Sequence, residues 1–401
     1  MFNDFFKKIS SSFNSPKGDS VLGIDIGSSS IKVVQLKRLN EQAILQTYGE
    51  IALGPYGEKI VGQATKLDPA VLSQALMDLL KESNVSTNSS ALSIPMRSSM
   101  VSVFDMPSSV DKRRLAEMIP IEARKYIPVP IDEVALDWFI IPKIEGPKND
   151  ERFKTSDSSL ANSGASQNPL SLNPSKEISE SQKGDGKIET MVVAIHNDDL
   201  NDYSLVVKNA GLDASFFEIE MFASSRAVLD YSILTPVMIV DIGAGSTKIY
   251  VAERGIIRST HTIGKGSQDL TLAISRGMNL DFSYAEKLKR KFGENTPDQD
   301  MKIAELMDLI FNPIFQEANS ILVQFQTKYR KNIAKVIMIG GGSLLKGIEG
   351  KAQKFFSVPA EIGLPFDKVQ KPAFLDPVLN KNGVMFAGAI GLAIRKLQEL
   401  D

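Results

Sequence analysis

The sequence predicts an α/β protein built from two similar halves, and three observations lead there. At 401 residues the chain is longer than one hydrophobic core usually supports. Strand-like and helix-like patterns alternate along most of it. The stretch VLGIDIGSSSIKVV at 21–34 also returns as VMIVDIGAGSTKIY at 237–250, with Val, Asp, Ile, Gly, Ser and Lys unchanged in register. A repeat so distant fits two halves facing one another. A solenoid would repeat every 20–50 residues or so.

Taken in order, the first element is MFNDFFKKISSSF, where Phe2, Phe5, Phe6, Ile9 and Phe13 fall at helical spacing beside Lys7 and Lys8. It reads either as an interfacial helix for a membrane or partner groove, or as a helix packed on its own protein. Residues 21–53 read as a hairpin and further strands. PAVLSQALMDLLKE at 69–82 places Val71, Leu72, Ala75, Leu76, Leu79 and Leu80 on one helical face. SALSIPM and SVFDMP are strand-like. DKRRLAEMIPIEARKYIPVP is an amphipathic helix that Pro120 should kink or restart. EVALDWFIIP is a strand carrying the only tryptophan, Trp138, read as a core residue.

From about Lys143 to Lys187 the composition turns to Ser, Asn, Lys, Asp and Gly, with Phe153 the one aromatic. Such a stretch cannot bury enough apolar surface to offset its ordering entropy, so a disordered insertion is expected. TMVVAIH resumes a strand and LNDYSLVVKNAG a helix. The second half repeats the theme: strands over 237–263, helices through 268–331, the strand KVIMIG, and a final helix near 384–399.

Composition narrows the function. The chain has 43% hydrophobic and 23% charged residues, as soluble globular proteins do, and a net charge of −2, so no basic field argues for nucleic acid. The basic runs KLKRKF and KYRKNIAK have no net positive charge of the chain behind them and read as solvated helix faces. With no cysteine, disulfides, thiol catalysis and thiolate metal sites are excluded. His196 and His261, the only histidines, have no partner at metal-binding spacing and read as ordinary strand or surface residues. No segment reaches the roughly 20 apolar residues of a membrane span, and the N-terminus lacks the continuous apolar run of a secretory signal, so a cytoplasmic protein is expected.

The repeat carries the chemistry. Gly27 and Gly243 let the backbone turn tightly and approach a ligand closely. Successive N–H groups in such turns make a nest for anionic oxygens, and Ser28, Ser29, Ser30, Ser246 and Thr247 add hydroxyl donors beside Ala244 and Gly245. An aspartate before each turn, Asp25 or Asp241, would repel a phosphate. It makes sense where a Mg2+ lies between, held through water. Two such hairpins would clamp a polyphosphate from both sides. A third element, VIMIGGGSLLKG, sets Gly340, Gly341, Gly342 and Ser343 between a strand and an expected helix, where the backbone could lie flat against a ring or phosphate. It fits neither the dinucleotide fingerprint nor the P-loop.

In their order, GIDIGSSSIKVV, IVDIGAGSTKIYV and VIMIGGGSLLKG resemble the phosphate-1, phosphate-2 and adenosine motifs of the actin, Hsp70 and sugar-kinase superfamily. Within it, IEARKYIPVPIDEVALDWFII is similar to a segment of the FtsA/PilM family, and FEIEMFASSRAVL and FSYAEKLKRKFG fit the same family. The resemblance implies an actin-like two-lobed fold with duplicated ribonuclease-H-like subdomains and a small 1C subdomain. The implied division is an N-terminal segment and linker at 1–20, subdomain 1A at 21–95, 1C at 96–214, and a return to 1A with a connecting helix at 215–236. Subdomain 2A follows at 237–267, 2B at 268–334, 2A again at 335–383, and a closing helix at 384–401.

The same resemblance implies roles. ATP and Mg2+ are the cofactors, with Asp25 and Asp241 holding water around the metal and Lys32 reaching a phosphate oxygen. Glu286 and Lys289 match an A-E-x-x-K pattern that contacts ribose and adenine. Glu220 matches the acid that orients the attacking water, although Met221 replaces the proline that follows it in relatives. ATP binding is implied more firmly than hydrolysis, which would be slow. The implied function is a cytoplasmic ATP-binding protein peripheral to the inner membrane, within the assembly platform of the type IV pilus. Its partner is the N-terminal cytoplasmic peptide of a PilN-like membrane protein, with other platform proteins or motor ATPases as further partners. The alternatives are an FtsA-like membrane tether for division and a small-molecule kinase. The tether branch carries an amphipathic membrane helix after a C-terminal linker, where this sequence ends RKLQELD, and no substrate-base motif supports the kinase.

Overall fold

The computed structural model describes residues 20–109, 112–141 and 186–400. The N-terminal phenylalanine stripe and nearly all of the insertion expected at 143–187 lie outside the described residues.

Strands β1 (Ser20–Ile26), β2 (Ser30–Leu39) and β3 (Gln42–Ala52) form an antiparallel meander. Helix α1 (Pro69–Glu82) follows, burying Leu72, Ala75, Leu76 and Leu79, and β4 (Ser89–Ile94) returns parallel to β1. The chain then leaves for a small unit: β5 (Ser99–Pro107), α2 (Lys112–Ala123), β6 (Val134–Ile140) and β7 (Lys187–His196), with sheet order β5-β7-β6. Helix α3 (Asn197–Asn209) leads back to β8 (Asp213–Ile219), which pairs parallel with β4.

The second half repeats this plan. After α4 (Glu220–Val228) come β9 (Val237–Ile242), β10 (Thr247–Glu253) and β11 (Ile256–Ile263), again an antiparallel meander. Helices α5 (Ser267–Met278), α6 (Phe282–Arg290) and the long α7 (Pro297–Tyr329) precede β12 (Val336–Ile339), which runs parallel to β9. The short α8 (Ile348–Gln353), β13 (Ala360–Ile362), α9 (Asp376–Asn382) and α10 (Ala387–Gln398) complete the chain. The two large sheets have orders β3-β2-β1-β4-β8 and β11-β10-β9-β12-β13, one topology written twice. The duplication read from fourteen residues therefore extends to whole sheets. An actin-like, two-lobed α/β fold follows.

Helices α4 and α10 lie between the sheets. One hydrophobic core takes in β1, β2, β4, both helices and the Ile239, Tyr250 and Ile337 face of the second sheet. A second core packs the other face of that sheet against α5, α6 and α7, and a third fills the small unit. The close approaches are made by small residues. Any side chain at Gly23 would collide with the Ala389 carbonyl, and any at Gly391 with the Ala223 carbonyl.

Of the two outcomes expected at Pro120, a kink or a restart, the restart does not occur: Pro120 lies inside α2, and burial of Leu115, Ile119 and Ala123 holds the helix to the small sheet across the lost hydrogen bond. Two other local expectations need correction. Strand β7 begins at Lys187, three residues before the expected TMVVAIH strand, because Lys187–Thr190 pair with the far end of β5. The glycines at 340–342 open no α-helix but a 3-10 turn, Gly341–Leu344; the α-helical turns start only after Gly347, at φ +77°. Trp138 is half-buried against the small core, as expected of a packing residue.

Candidate functional site

In each hairpin the aspartate lies directly opposite a lysine. Asp25 faces Lys32 across β1 and β2, and Asp241 faces Lys248 across β9 and β10. Cross-strand partners project from the same face of a sheet, so the spacing of seven residues puts an acid and a base side by side beneath each turn. The turns close alike: Gly27 N–H donates to the Ser30 carbonyl at 3.0 Å, and Gly243 N–H to the Ser246 carbonyl at 2.9 Å.

The two hairpins bring their charges together with Glu220, the first residue of α4. Lys248 Nζ is 3.1 Å from Glu220 Oε2 and 3.8 Å from Asp241 Oδ2. The other Glu220 oxygen accepts from the Met96 N–H at 2.8 Å. Lys32 Nζ donates to Ser30 Oγ at 2.8 Å and stands 3.8 Å from Glu50. Asp25 Oδ1 accepts from Ser93 Oγ at 2.6 Å, and its carboxylate rests on the backbone of α10, where a side chain at Gly388 would come within 2.9–3.1 Å of all three carboxylate atoms. Asp241 is seated in the same manner against Gly340, where any Cβ would collide with its oxygen.

Burial sets the charge states here. It raises the Asp25 carboxyl above its ordinary range, with Lys32 opposing and Glu220 adding to the rise. Burial likewise carries Asp241 to about 6 despite the pull of Lys248. Burial alone would lower Lys248, but Glu220 and Asp241 outweigh it and hold the ammonium charged well above the usual lysine range.

The turns face each other across a strap. Residues 54–66 leave the first lobe and cross to the second. Thr65 N–H donates to the Ser28 carbonyl at 2.8 Å, and Ala64 N–H to Gln268 Oε1 of α5 at 2.5 Å. Gly62, at φ +92°, lies against the Glu286 carboxylate, where a side chain would fall 2.7 Å from its carbon. The N-terminus of α5 abuts the second turn, Ser267 and Gln268 donating to the carbonyls of Gly243 and Ala244 at 2.9 Å.

The predicted residues distribute as follows. Gly27, Ser28, Ser29, Ser30, Gly243, Ala244, Gly245 and Ser246 form the two facing turns. A methyl group added at Gly245 would lie 3.4 Å from Ala64 Cβ and 3.8 Å from Ser28 Oγ. Thr247 is fully buried and its hydroxyl donates to the Lys265 carbonyl at 2.9 Å, so it braces the turn. Glu286 and Lys289 are buried beside the strap and bound to each other at 2.7 Å; Glu286 also accepts from Thr271 and Arg290, and Lys289 from its side reaches the Ser267 carbonyl at 3.2 Å. Burial would raise Glu286, but Lys289 and those hydrogen bonds hold it below its usual range. Burial lowers the Lys289 ammonium below its ordinary range against the opposing charge of Glu286. Gly340 and Gly342 press on Asp241 and Ile242, Gly341 faces open space, and Ser343 donates back to the Ile339 carbonyl at 2.6 Å. His261 makes a surface contact of 2.7 Å with Glu317.

Two residues that this cluster brings together escaped the sequence reading. Lys248 was signalled by the repeat itself, being the counterpart of Lys32. Ser93 arrives from β4 and had no local signal.

The glycine-lined turns, with Ser28, Ser29, Ser30 and Ser246 on them, suit a polyphosphate. A directly ligated Mg2+ does not fit: among the described residues no three carboxylate or imidazole groups converge as a metal site, and Lys248 stands between two of the carboxylates. A cavity of about 220 Å3 opens beside the first turn, lined by Ile26, Gly27, Thr65, Arg97, Asp199 and Tyr203 among others. A wider groove of about 610 Å3 lies away from these charges, at Arg124 and Val129–Asp132.

Twin sheets, each opened by an Asp–turn–Lys hairpin, with two helices crossing beneath, define an actin-like two-lobed protein. Within that class the likeness to the FtsA/PilM family is borne out. Residues 23–155 match the family model described as type IV pilus assembly protein PilM, and residues 238–378 that of cell division protein FtsA. The cell division protein FtsA of Buchnera aphidicola subsp. Baizongia pistaciae is 25% identical over 202 residues, 43% of this chain and 48% of the relative. FtsA of Neisseria meningitidis serogroup B is 26% identical over 198 residues, 42% of this chain and 47% of the relative. The chain thus spans about half the length of the curated relatives it matches. Among solved structures, a chain of the PilM-PilN type IV pilus biogenesis complex superposes with a TM-score of 0.73 at 23% identity, over 95% of this chain and 99% of that one. The ethanolamine utilization protein EutJ from Carboxydothermus hydrogenoformans does so with 0.50 at 15% identity, over 98% and 94%. Among the described residues no helix is long and apolar enough to cross a membrane.

Proposed function

We propose that this chain is an ATP-binding component of a type IV pilus assembly platform, which binds the N-terminal cytoplasmic tail of a PilN-like inner-membrane protein. The observation that carries the reading is the match of residues 23–155 to the PilM model, which takes in the first phosphate turn and the start of the small three-stranded unit. In this reading the polyphosphate lies between the turns at 27–30 and 243–246, with Lys32 beside it. Glu286 and Lys289 flank the ribose and base at the strap. Glu220 orients water once its carboxylate is released from Lys248, which makes any hydrolysis slow. Nucleotide state acts by biasing closure of the lobes and so the population of binding-competent forms. The protein is cytoplasmic and held at the inner membrane by its partner.

The groove at Arg124 and Val129–Asp132 lies on the IPVPIDEVALDWF stretch and suits an extended apolar tail. Titrating a labelled PilN-like N-terminal peptide into the protein, with and without Mg-ATP, tests this. Micromolar binding that changes with nucleotide is expected. A protein that binds Mg-ATP yet ignores the peptide contradicts the pilus assignment. A second reading, an FtsA-like division tether, is favoured by the FtsA match over 238–378, and binding to lipid vesicles in place of the peptide would support it.

A further inference from the structure

The strap at 54–66 runs through the place that the proposed function gives to the nucleotide. A methyl group added at Gly245 of the second turn would meet Ala64 Cβ at 3.4 Å and Ser28 Oγ of the first turn at 3.8 Å, so Ala64 and both turns share one small space. The adjacent N–H groups of Ala64 and Thr65 tie the strap to Gln268 Oε1 and to the Ser28 carbonyl. Gly62 is pressed on Glu286: a Cβ there would fall 2.7 Å from both its carboxyl carbon and Oε1. Backbone thus covers the carboxylate proposed to meet the ribose. The strap is also built to leave. Ile60 N–H donates to Gln63 Oε1 at 2.9 Å and Lys59 Nζ to the Ala64 carbonyl at 3.2 Å, bonds that travel with the loop. Ile60 and Val61 are 37% and 41% exposed, so little apolar contact with the second lobe is given up. A loop held in this way opens at low free energy.

We propose that residues 60–65 are an autoinhibitory strap, which fills the space between the two turns and against Glu286 until a nucleotide displaces it. The proposal rests on the nucleotide reading of the cleft. Phosphate takes the place of Ala64 and ribose that of Gly62, and the amides released from Gln268 and Ser28 turn to water. Strap and ligand compete, so apparent affinity falls in proportion to the fraction of chains whose strap is out of the cleft.

Hydrogen exchange of the full chain, read by mass spectrometry with and without Mg-ATP, follows the strap directly. The Ala64 and Thr65 amides should be protected in the free wild type and lose protection as nucleotide binds. Stronger protection in the bound form would reveal a lid that closes over the nucleotide and would overturn the proposal. Gly62→Ala forces a methyl group onto Glu286 at φ +92° and should unseat the strap. Its strap amides should then exchange faster even without nucleotide, and calorimetry should show Mg-ATP binding several-fold tighter than to the wild type. Equal or weaker binding contradicts competition. Ala64→Pro, which removes the N–H given to Gln268, should act in the same direction and serves if Gly62→Ala does not fold. The two possible failures look different. A wild type that binds Mg-ATP with its strap still protected sinks the strap alone. Wild type and variant both failing to bind, although the variant's strap exchanges freely, sinks the nucleotide reading and the autoinhibition with it.

Discussion

Glu218 and its two arginines are the residues on which the base of the cleft turns. Arg226 grips both carboxylate oxygens at 2.8 and 2.9 Å and also donates to the Gly391 carbonyl at 3.0 Å, while Arg395 reaches Glu218 at 2.7 Å. Burial would raise Glu218, but the two guanidinium groups hold it at about 2. A carboxyl depressed in the folded state contributes stability above its unfolded value, and loses it as pH falls toward the folded one. Glu218 should therefore stabilise the fold at neutral pH and cease to do so between about pH 4.5 and pH 2. Glu218→Gln costs about 3–5 kcal/mol at neutral pH, because it leaves the buried Arg226 guanidinium without its anion, while Arg395 keeps Glu399 at 3.3 Å. Urea unfolding of both proteins at neutral and acid pH checks this; a gap that stays constant on acidification would contradict it.

Among the elements, the two crossing helices set the site. Helix α10 lies on β1 at Gly23, carries Gly388 under Asp25 and meets α4 at Gly391. Gly391→Ala drives a methyl group into the Ala223 backbone, a strain with no flexible side chain to absorb it. A loss of several kcal/mol is expected, at or above the overpacking range of about 1–3 kcal/mol, and thermal melting reads it. The sequence made the strands and hairpins legible because each half presents the same Asp–Gly–Ser–Lys order between β-branched runs. It hid what depends on distant packing. Ser93 reaches Asp25 from a parallel strand, and Gly388 and Gly391 were only two residues of the final helix expected near 384–399. The helix expected after Gly340 was mistaken for want of one fact: Gly340 and Gly342 are committed to the backs of Asp241 and Ile242, which leaves a 3-10 turn. At Pro120 the sequence left a kink or a restart open, and burial of Ile119 and Ala123 decides against the restart.

For the whole molecule, the insertion expected at 143–187 belongs to the small three-stranded unit. The low-complexity stretch joins β6 to β7, which are paired neighbours, and Ile141 N–H still donates to the Glu189 carbonyl at 2.8 Å. The chain ends to be joined are thus held close by the sheet. Replacing residues 146–182 with a short Gly/Ser linker should leave the melting temperature unchanged or slightly raised, because each halving of a loop lowers its closure cost by about 0.6 kcal/mol. A large fall would mean that the segment carries packing of its own.

Across the molecule, the central claim is that two facing turns above Asp25 and Asp241 hold a nucleotide. Asp25 is suited to test it, since burial makes its charge a burden to the fold. Calorimetric titration of Mg-ATP into the full chain and into Asp25→Asn is the most direct measurement. One nucleotide bound per wild-type chain is expected, with binding lost in the variant while its melting temperature holds or rises. No binding to the wild type, or undiminished binding to Asp25→Asn, would contradict the account.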